Sequence, residues 1–173
     1  MAGKYVTILN PGYSLLWVKD LLYTVSATEL AAGVVNPLNP SDYNPLIEGE
    51  FLEASHSGGK PRFTRGGDYA GAGLGDEGDN PAWMYFQEKG RYDAQATKMA
   101  HCIMGPAFFE FRTKLCVSTG LSVNDEVTVW DYDGFGSLVR RVLAKKVGAT
   151  KFVVGRVSRV YGTNDIAVVF GLK

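Results

Sequence analysis

The chain has 173 residues, with 18 basic and 18 acidic side chains and a formal net charge of zero. Hydrophobic residues make up 46% and charged residues 21% of it, which excludes intrinsic disorder, because that state requires low hydrophobicity and a high net charge. Glycine is frequent, at 21 residues, and is accompanied by 9 Phe, 9 Tyr and 3 Trp. This mixture favours strands and tight turns over helix bundles.

The first 45 residues predict a strand followed by an arm. A short strand is expected at 4–9, and the Asn-Pro-Gly sequence at 10–12 ends it with a turn. The apolar stretch 15–25 fits either a strand pair or a short helix, since its periodicity does not decide. Between 36 and 45, three prolines exclude a long helix and a central strand, which predicts an extended arm or a loop lying on a surface.

The middle of the chain predicts strands around a glycine-rich segment. Residues 46–54 alternate in polarity and indicate a strand with one acidic face. Eight glycines fall within 55–80, so this segment is expected to be a long projecting loop. Further strands are expected at 81–88 and 107–117, with a weak helix or turn at 93–99.

The last fifty residues carry the clearest strand pattern. Short apolar runs separated by turn residues predict strands at 126–130, 138–142, 151–161 and 166–172. Ser158 and Arg159 interrupt the alternation, which indicates a bulge or a rim position.

The predicted fold is therefore all-β: a small antiparallel β-barrel or sandwich, with an extended N-terminal arm and a long Gly-rich loop. Residues 1–45 are expected to form the N-terminal strand and arm. Residues 46–173 are expected to form the barrel or sandwich domain, from which the loop at 55–80 projects. No strand–helix–strand rhythm appears, which disfavours a parallel doubly wound sheet.

Charge is distributed unevenly. Residues 138–173 hold eight basic side chains and one acidic side chain, so the rest of the chain carries the compensating negative charge. Such a molecule could be dipolar despite its zero total. The asymmetry suits protein contacts or an acidic partner surface, whereas a nucleic-acid-binding domain usually has a basic total. A solvated set of strands is the plain alternative.

No motif for catalysis, cofactor binding or metal binding stands out. The glycines at 71–75 are followed by an acidic run, and no Gly-Lys-Ser/Thr sequence comes after them. They therefore do not resemble a phosphate loop. The Asp-Tyr-Asp-Gly sequence at 131–134 lacks the later ligands of a calcium loop. Cys102 and Cys116 are expected to be buried reduced thiols, with a single disulfide as the alternative. We therefore expect no enzymatic activity, no cofactor and no bound metal.

Neither targeting nor membrane insertion is predicted. The N-terminus lacks the order of a signal peptide, and no window approaches the roughly 20 apolar residues of a membrane span. We therefore expect a soluble protein made in a cytoplasm.

Several segments resemble the small β-barrel decoration, or cement, proteins of tailed-bacteriophage capsids. The resemblance lies in the order of strands and turns at 109–115 (FEFRTKL), 120–129 (GLSVNDEVTV), 154–157 (VGRV) and 162–171 (GTNDIAVVFG). A weaker likeness is present at 47–53 (IEGEFLE). The N-terminal forty residues and the segment 55–80 lie outside it.

This resemblance implies a structural virion protein, made in the host cytoplasm, that binds the outer surface of a capsid. It would stabilise the shell by bridging subunits of the major capsid protein, and self-association as a dimer or trimer would be expected, without nucleic-acid or membrane contact. The expected partner contacts are apolar and tyrosine side chains of the arm together with arginines facing acidic capsid surface: Leu38, Tyr43, Leu46, Arg62, Arg65, Arg140 and Arg141. Two alternatives stay open, namely a carbohydrate- or receptor-binding virion module that uses exposed aromatic residues, and a small enzyme.

Overall fold

The computed structural model describes residues 5–10, 17–25, 27–57, 60–65, 74–77, 82–86, 98–104, 109–132, 140–148 and 152–171. In this part of the chain the fold is all-β, as the sequence predicts. Its strands and its one short helix are, in chain order, β1 (Val6–Asn10), β2 (Trp17–Leu22), α1 (Ala27–Ala31), β3 (Phe51–Ser57), β4 (Lys60–Thr64), β5 (Leu74–Glu77), β6 (Ala82–Tyr85), β7 (Met99–Met104), β8 (Glu110–Thr113), β9 (Glu126–Tyr132), β10 (Arg140–Lys145), β11 (Gly155–Gly162) and β12 (Asp165–Phe170).

The larger sheet curls into a nearly closed barrel. Its antiparallel strands follow the order β1-β8-β12-β11-β9-β10, and β5 pairs with the far end of β9. Just after β8, a parallel bridge joins Cys116 to Leu143 of β10. Because β8 and β10 lie far apart in the strand order, this bridge brings the two sides of the sheet together and encloses a core.

The second sheet has the antiparallel order β2-β7-β6-β3-β4. A parallel bridge between Tyr23 and Phe63 links the end of β2 to β4, and the N–H of Thr24 donates to the carbonyl of Phe63 at 2.8 Å. The two edges of this sheet therefore also meet.

Strands of the second sheet contribute side chains to two cores, because successive residues of a strand point to opposite faces. Phe51, Met84 and Ile103 join the barrel core. Their neighbours Leu52, Tyr85 and Cys102 join a second core with Leu38 and Leu46 of the proline-rich segment. The two sheets are thus one packed body, and the segment before β3 is part of it.

The sequence predicted most of these strands. Strands β8 to β12 confirm the expected pattern of the C-terminal half, and a register shift between Val157 and Arg159 in β11 confirms the bulge. Within the stretch 15–25, the described residues 17–25 contain the single strand β2.

Three regions differ from expectation. Residues 46–50 are loop, and the acidic-faced strand begins only at Phe51. Strands β4 and β5 lie inside the segment 55–80 that was expected to be a loop, and β7 was not predicted. Of the predicted helix or turn at 93–99, residues 93–97 lie outside the described residues, and Met99 begins β7. Among the described helices, none is long and apolar enough to cross a membrane.

Candidate functional site

The predicted contact residues fall into two structural groups. Leu38 and Leu46 are buried in the second core, whereas Tyr43 is 63% exposed and Arg62 is half-buried. The other three arginines, Arg65, Arg140 and Arg141, are buried. Only Tyr43 and Arg62 therefore offer substantial side-chain surface to a partner.

The three buried arginines belong to an internal ion cluster. Arg65 follows β4 and donates to Glu29 of α1 at 3.0 Å and to Glu50 through Nε at 3.2 Å. Arg140 of β10 donates to the same Glu50 at 3.0 Å and to the carbonyl of Pro45. These contacts connect the helix, the loop before β3 and the barrel. Their role is therefore to join parts of the fold.

Arg141 extends this cluster along β10. It donates from Nη1 to Glu53 of β3 at 2.7 Å and to the carbonyl of Arg65 at 2.7 Å, and its Nε lies 3.2 Å from Asp131 of β9. With the previous pairs, these contacts form the buried ion cluster, whose charged members are Glu29, Glu50, Glu53, Arg65, Asp131, Arg140 and Arg141. Buried charges require such partners, because an unpaired charge in the interior is strongly unfavourable.

The hydroxyl of Tyr23 lies beside the cluster and forms hydrogen bonds with two of its members. Tyr23 donates to Glu29 at 2.8 Å and accepts from the N–H of Arg65 at 3.2 Å. Burial, together with the neighbouring carboxylates, raises the pKa of Tyr23 well above its ordinary value. The hydroxyl therefore stays protonated at neutral pH and continues to donate its hydrogen bond to Glu29.

Internal ion pairs also neutralise much of the positive charge that the sequence concentrates in residues 138–173. Five of the eight basic side chains in 138–173 pair with acidic residues from elsewhere in the chain: Arg140, Arg141, Lys145, Lys146 and Arg156. The charge asymmetry of the sequence is thus largely neutralised within the fold.

The proline-bearing segment is folded back on itself. The N–H of Leu46 donates to the carbonyl of Pro37 at 2.7 Å. The carboxylate of Asp42 accepts from the N–H groups of Val35 and Asn36, at 3.1 and 2.7 Å. Although burial opposes it, hydrogen bonds from surrounding backbone N–H groups lower the pKa of Asp42. This loop therefore has its own polar framework.

Three apolar side chains of this region point into solvent. Leu30, Val35 and Tyr43 are 56%, 73% and 63% exposed, and we call them the arm patch. Gly33 has a φ of +90°, and a Cβ there would lie 3.9 Å from the ring of Tyr43. The tyrosine thus packs over the turn that follows α1 while its outer face stays free. The arm patch combines exposed apolar surface with an anchored backbone.

A second surface lies on the outside of the barrel, across β1 and β8. Tyr5, Thr7, Arg112 and Lys114 line a cavity of about 190 Å³, and we call these four residues the barrel-face site. Thr7 pairs with Arg112 in the strand register, and the N–H of Lys114 donates to the carbonyl of Tyr5 at 2.8 Å. The four residues therefore form a two-by-two array.

Two neighbours hold Arg112 in place. Asp165 of β12 accepts from its Nε at 2.7 Å and from its Nη2 at 2.6 Å, and the ring of Tyr161 lies 4.1 Å from the guanidinium carbon. The hydrogen bonds to Asp165 raise the pKa of Arg112, and those from Arg112 lower the pKa of Asp165. Both groups are therefore charged at neutral pH.

The sequence contained a signal for only half of this site. Arg112 and Lys114 alternate with Phe111 and Thr113 on a predicted strand, so their outward direction was readable. Their meeting with Tyr5 and Thr7 depends on the pairing of β1 with β8, which joins segments about a hundred residues apart.

The two cysteines and Trp83 pack in or against the two cores. Among the described residues, no group of three or more His, Cys, Asp or Glu is placed to hold a metal. Cys102 and Cys116 lie in different cores and form no disulfide, and burial raises the pKa of Cys116 to about 12. Trp83 is half-buried with its ring centroid 6.1 Å from that of Phe63.

Comparison with known protein families, with curated proteins and with solved structures finds no match to this chain.

Proposed function

We propose that this chain is a structural virion protein that binds the outer surface of a tailed-phage capsid and stabilises it by bridging subunits of the major capsid protein. The observation that carries the proposal is the arm patch, in which Leu30 of α1 and Val35 and Tyr43 of the following loop are exposed on a segment anchored from within. The strand-and-turn resemblance to capsid decoration proteins supports it.

The anchoring of the loop is what makes this patch suitable for binding. Leu38 and Leu46 hold the loop to the second core, and the carbonyl oxygens of Asn44 and Pro45 accept from Arg65 and Arg140 of the buried ion cluster. A surface that is already ordered loses little conformational entropy when a partner docks. Tyrosine is also among the residues that most often dominate binding energy at interfaces.

Bridging requires more than one binding surface in the bound unit. Self-association as a dimer or trimer would present several arm patches at once. Linked contacts raise the overall affinity by about 10²–10⁴-fold when the geometry allows them to engage together. A structural shell protein of this kind needs no catalytic group, cofactor or nucleic-acid contact.

The first test is quantitative mass spectrometry of purified virus particles from the source of this sequence. Hundreds of copies per particle, near the abundance of the major capsid protein, would support decoration. A few copies would favour the receptor-binding alternative, which glycan-array binding would then examine. Complete absence from the particles would contradict a virion role.

The second test measures binding of the purified chain to expanded capsids that lack it. Val35→Asp places a charge in the arm patch and should reduce capsid binding by at least about tenfold, since it buries an unpaired carboxylate at the interface. Val123→Asp is the matched control, because Val123 is also exposed, at 54%, but lies in a turn of the barrel. Equal binding by the two variants would exclude the arm patch as the contact.

A further inference from the structure

We propose that the barrel-face site (Tyr5, Thr7, Arg112 and Lys114) binds a carboxylate from an acidic segment of a partner protein. This goes beyond the capsid-binding role proposed for the arm patch, because it concerns a different surface, on the barrel. The site has three features of a carboxylate receptor. These are hydrogen-bond donors without partners, a guanidinium group held in place and a net positive charge of one.

The donors around the cavity are available. Within the described part of the chain, the ammonium of Lys114 makes no hydrogen bond or ion pair, and neither do the hydroxyls of Tyr5 and Thr7. Arg112 uses Nε and Nη2 for Asp165, which leaves its Nη1 free to donate. A carboxylate in the cavity can therefore accept several hydrogen bonds without breaking an existing one.

The guanidinium group is held before any ligand arrives. Asp165 fixes its plane through two in-plane hydrogen bonds, and Tyr161 covers one of its faces at 4.1 Å. Its side chain is nevertheless 40% exposed, so a ligand can reach it. A preorganised arginine binds more tightly than a mobile one, because less rotamer freedom is lost on binding.

Charge selects among the possible anions. Arg112 and Lys114 contribute two positive charges, and the Asp165 carboxylate, whose pKa is lowered, contributes one negative charge. The remaining single positive charge matches a carboxylate. A phosphate monoester carries up to two negative charges, so Asp165 would repel it more strongly than it repels the single charge of a carboxylate. The site is thus better suited to Asp, Glu or a chain terminus than to a phosphate monoester.

The position on the sheet explains why the ligand would belong to a polypeptide segment. β1 is the last strand of its sheet among the described residues, so no described strand pairs with it on the side away from β8. An extended segment can lie along such an edge through main-chain hydrogen bonds while one of its side chains enters a neighbouring pocket. The cavity lies between this edge strand and β8.

The test is a titration of the isotope-labelled chain followed by NMR. The probes are a capped tetraglutamate peptide, acetate, inorganic phosphate and a short single-stranded DNA, each at low ionic strength. We expect the peptide to shift the amide signals of Thr7 and Lys114 and the Nε signal of Arg112. Lys114→Glu should weaken peptide binding by at least about tenfold, and added salt should weaken it further.

Lys60→Glu is the matched control, because Lys60 is an exposed lysine on β4 that makes no ion pair among the described residues. It should leave peptide binding within about twofold of the unmodified chain, as expected for a distant surface charge. Tighter binding of phosphate or DNA than of the peptide would overturn the proposal, as would peptide shifts outside the site. If acetate and the peptide bound equally well per carboxylate, the inference that the ligand is a polypeptide segment would be overturned. None of these results depends on capsids, so they are independent of the arm patch.

Discussion

Arg65 and Glu29 lie 36 positions apart in the sequence, yet their side chains form an ion pair of 3.0 Å in which neither is exposed to solvent. Nearby carboxylates raise the pKa of Arg65 despite the opposing effect of its burial. The pair joins α1 to the end of β4, and Glu50 extends it to β10 through Arg140. The segment that carries the arm patch, α1 with the loop that follows it, is thus fixed by charges inside the fold.

Replacing Arg65 should therefore be costly. Arg65→Met leaves Glu29 and Glu50 buried with fewer cationic partners, and breaking a buried pair in this way typically costs about 3–5 kcal/mol. Arg62→Met is the control, because Arg62 is half-buried on β4 and belongs to no ion pair found in the described residues. Urea denaturation of both variants measures the difference in the free energy of unfolding. Equal stability of the two would contradict a structural role for the cluster.

Gly155 should tolerate no larger side chain. A Cβ at this position would collide with the carbonyl oxygen of Val169, which belongs to the backbone and cannot move aside. We expect Gly155→Ala to lower the free energy of unfolding by about 3 kcal/mol, the upper end of common overpacking costs. Gly162→Ala, in the same strand, has open space around it and should change stability by no more than about 0.5 kcal/mol. Thermal unfolding of the two variants compares them.

Stability should fall at alkaline pH because of Cys116. Burial raises the pKa of its thiol from 9.0 to about 12, so the folded chain keeps the proton where the unfolded chain loses it. The contribution is complete below pH 9 and is lost as the pH rises toward 12, with a slope of at most about 1.4 kcal/mol per pH unit for one proton. Cys116→Ala should show a shallower decline in unfolding free energy between pH 9 and 11. Identical slopes in the variant and the unmodified chain would rule out this assignment.

The Arg112–Asp165 pair should reveal itself at acidic pH. Hydrogen bonds from Arg112 lower the pKa of Asp165, so the folded state favours the ionised carboxylate. Its contribution to stability is present above the ordinary value of 3.8 and is lost as the pH falls below it. Asp165→Asn should therefore be less stable than the unmodified chain at pH 6, and the difference should shrink by pH 2. A difference that stays constant with pH would show that the charge of Asp165 is not responsible.

Local sequence patterns located the C-terminal strands in two ways. β8 alternates buried and half-buried residues, so its periodicity was readable. β10 is buried at five successive positions, and it was predicted as an apolar run between turn residues of the sequence. β7 was missed because both of its faces are buried: Cys102 lies in one core and Ile103 in the other, which removes the alternation. β4 was missed because it lies in the segment 55–80, whose eight glycines predicted a loop. It contains Pro61, and it is last in its sheet order, where a residue without an N–H is tolerated.

The sequence by itself determined the all-β class, the positions of most strands and the bulge near Ser158, because these depend on neighbouring residues and on the alternation of strand faces. Only the tertiary structure decided which arginines are exposed. Arg62 and Arg65 are three positions apart, yet the first is half-buried and the second is enclosed by Glu29 and Glu50. A charged side chain can be buried only where the fold supplies a counter-charge, and strand pairing brings that counter-charge from distant parts of the chain.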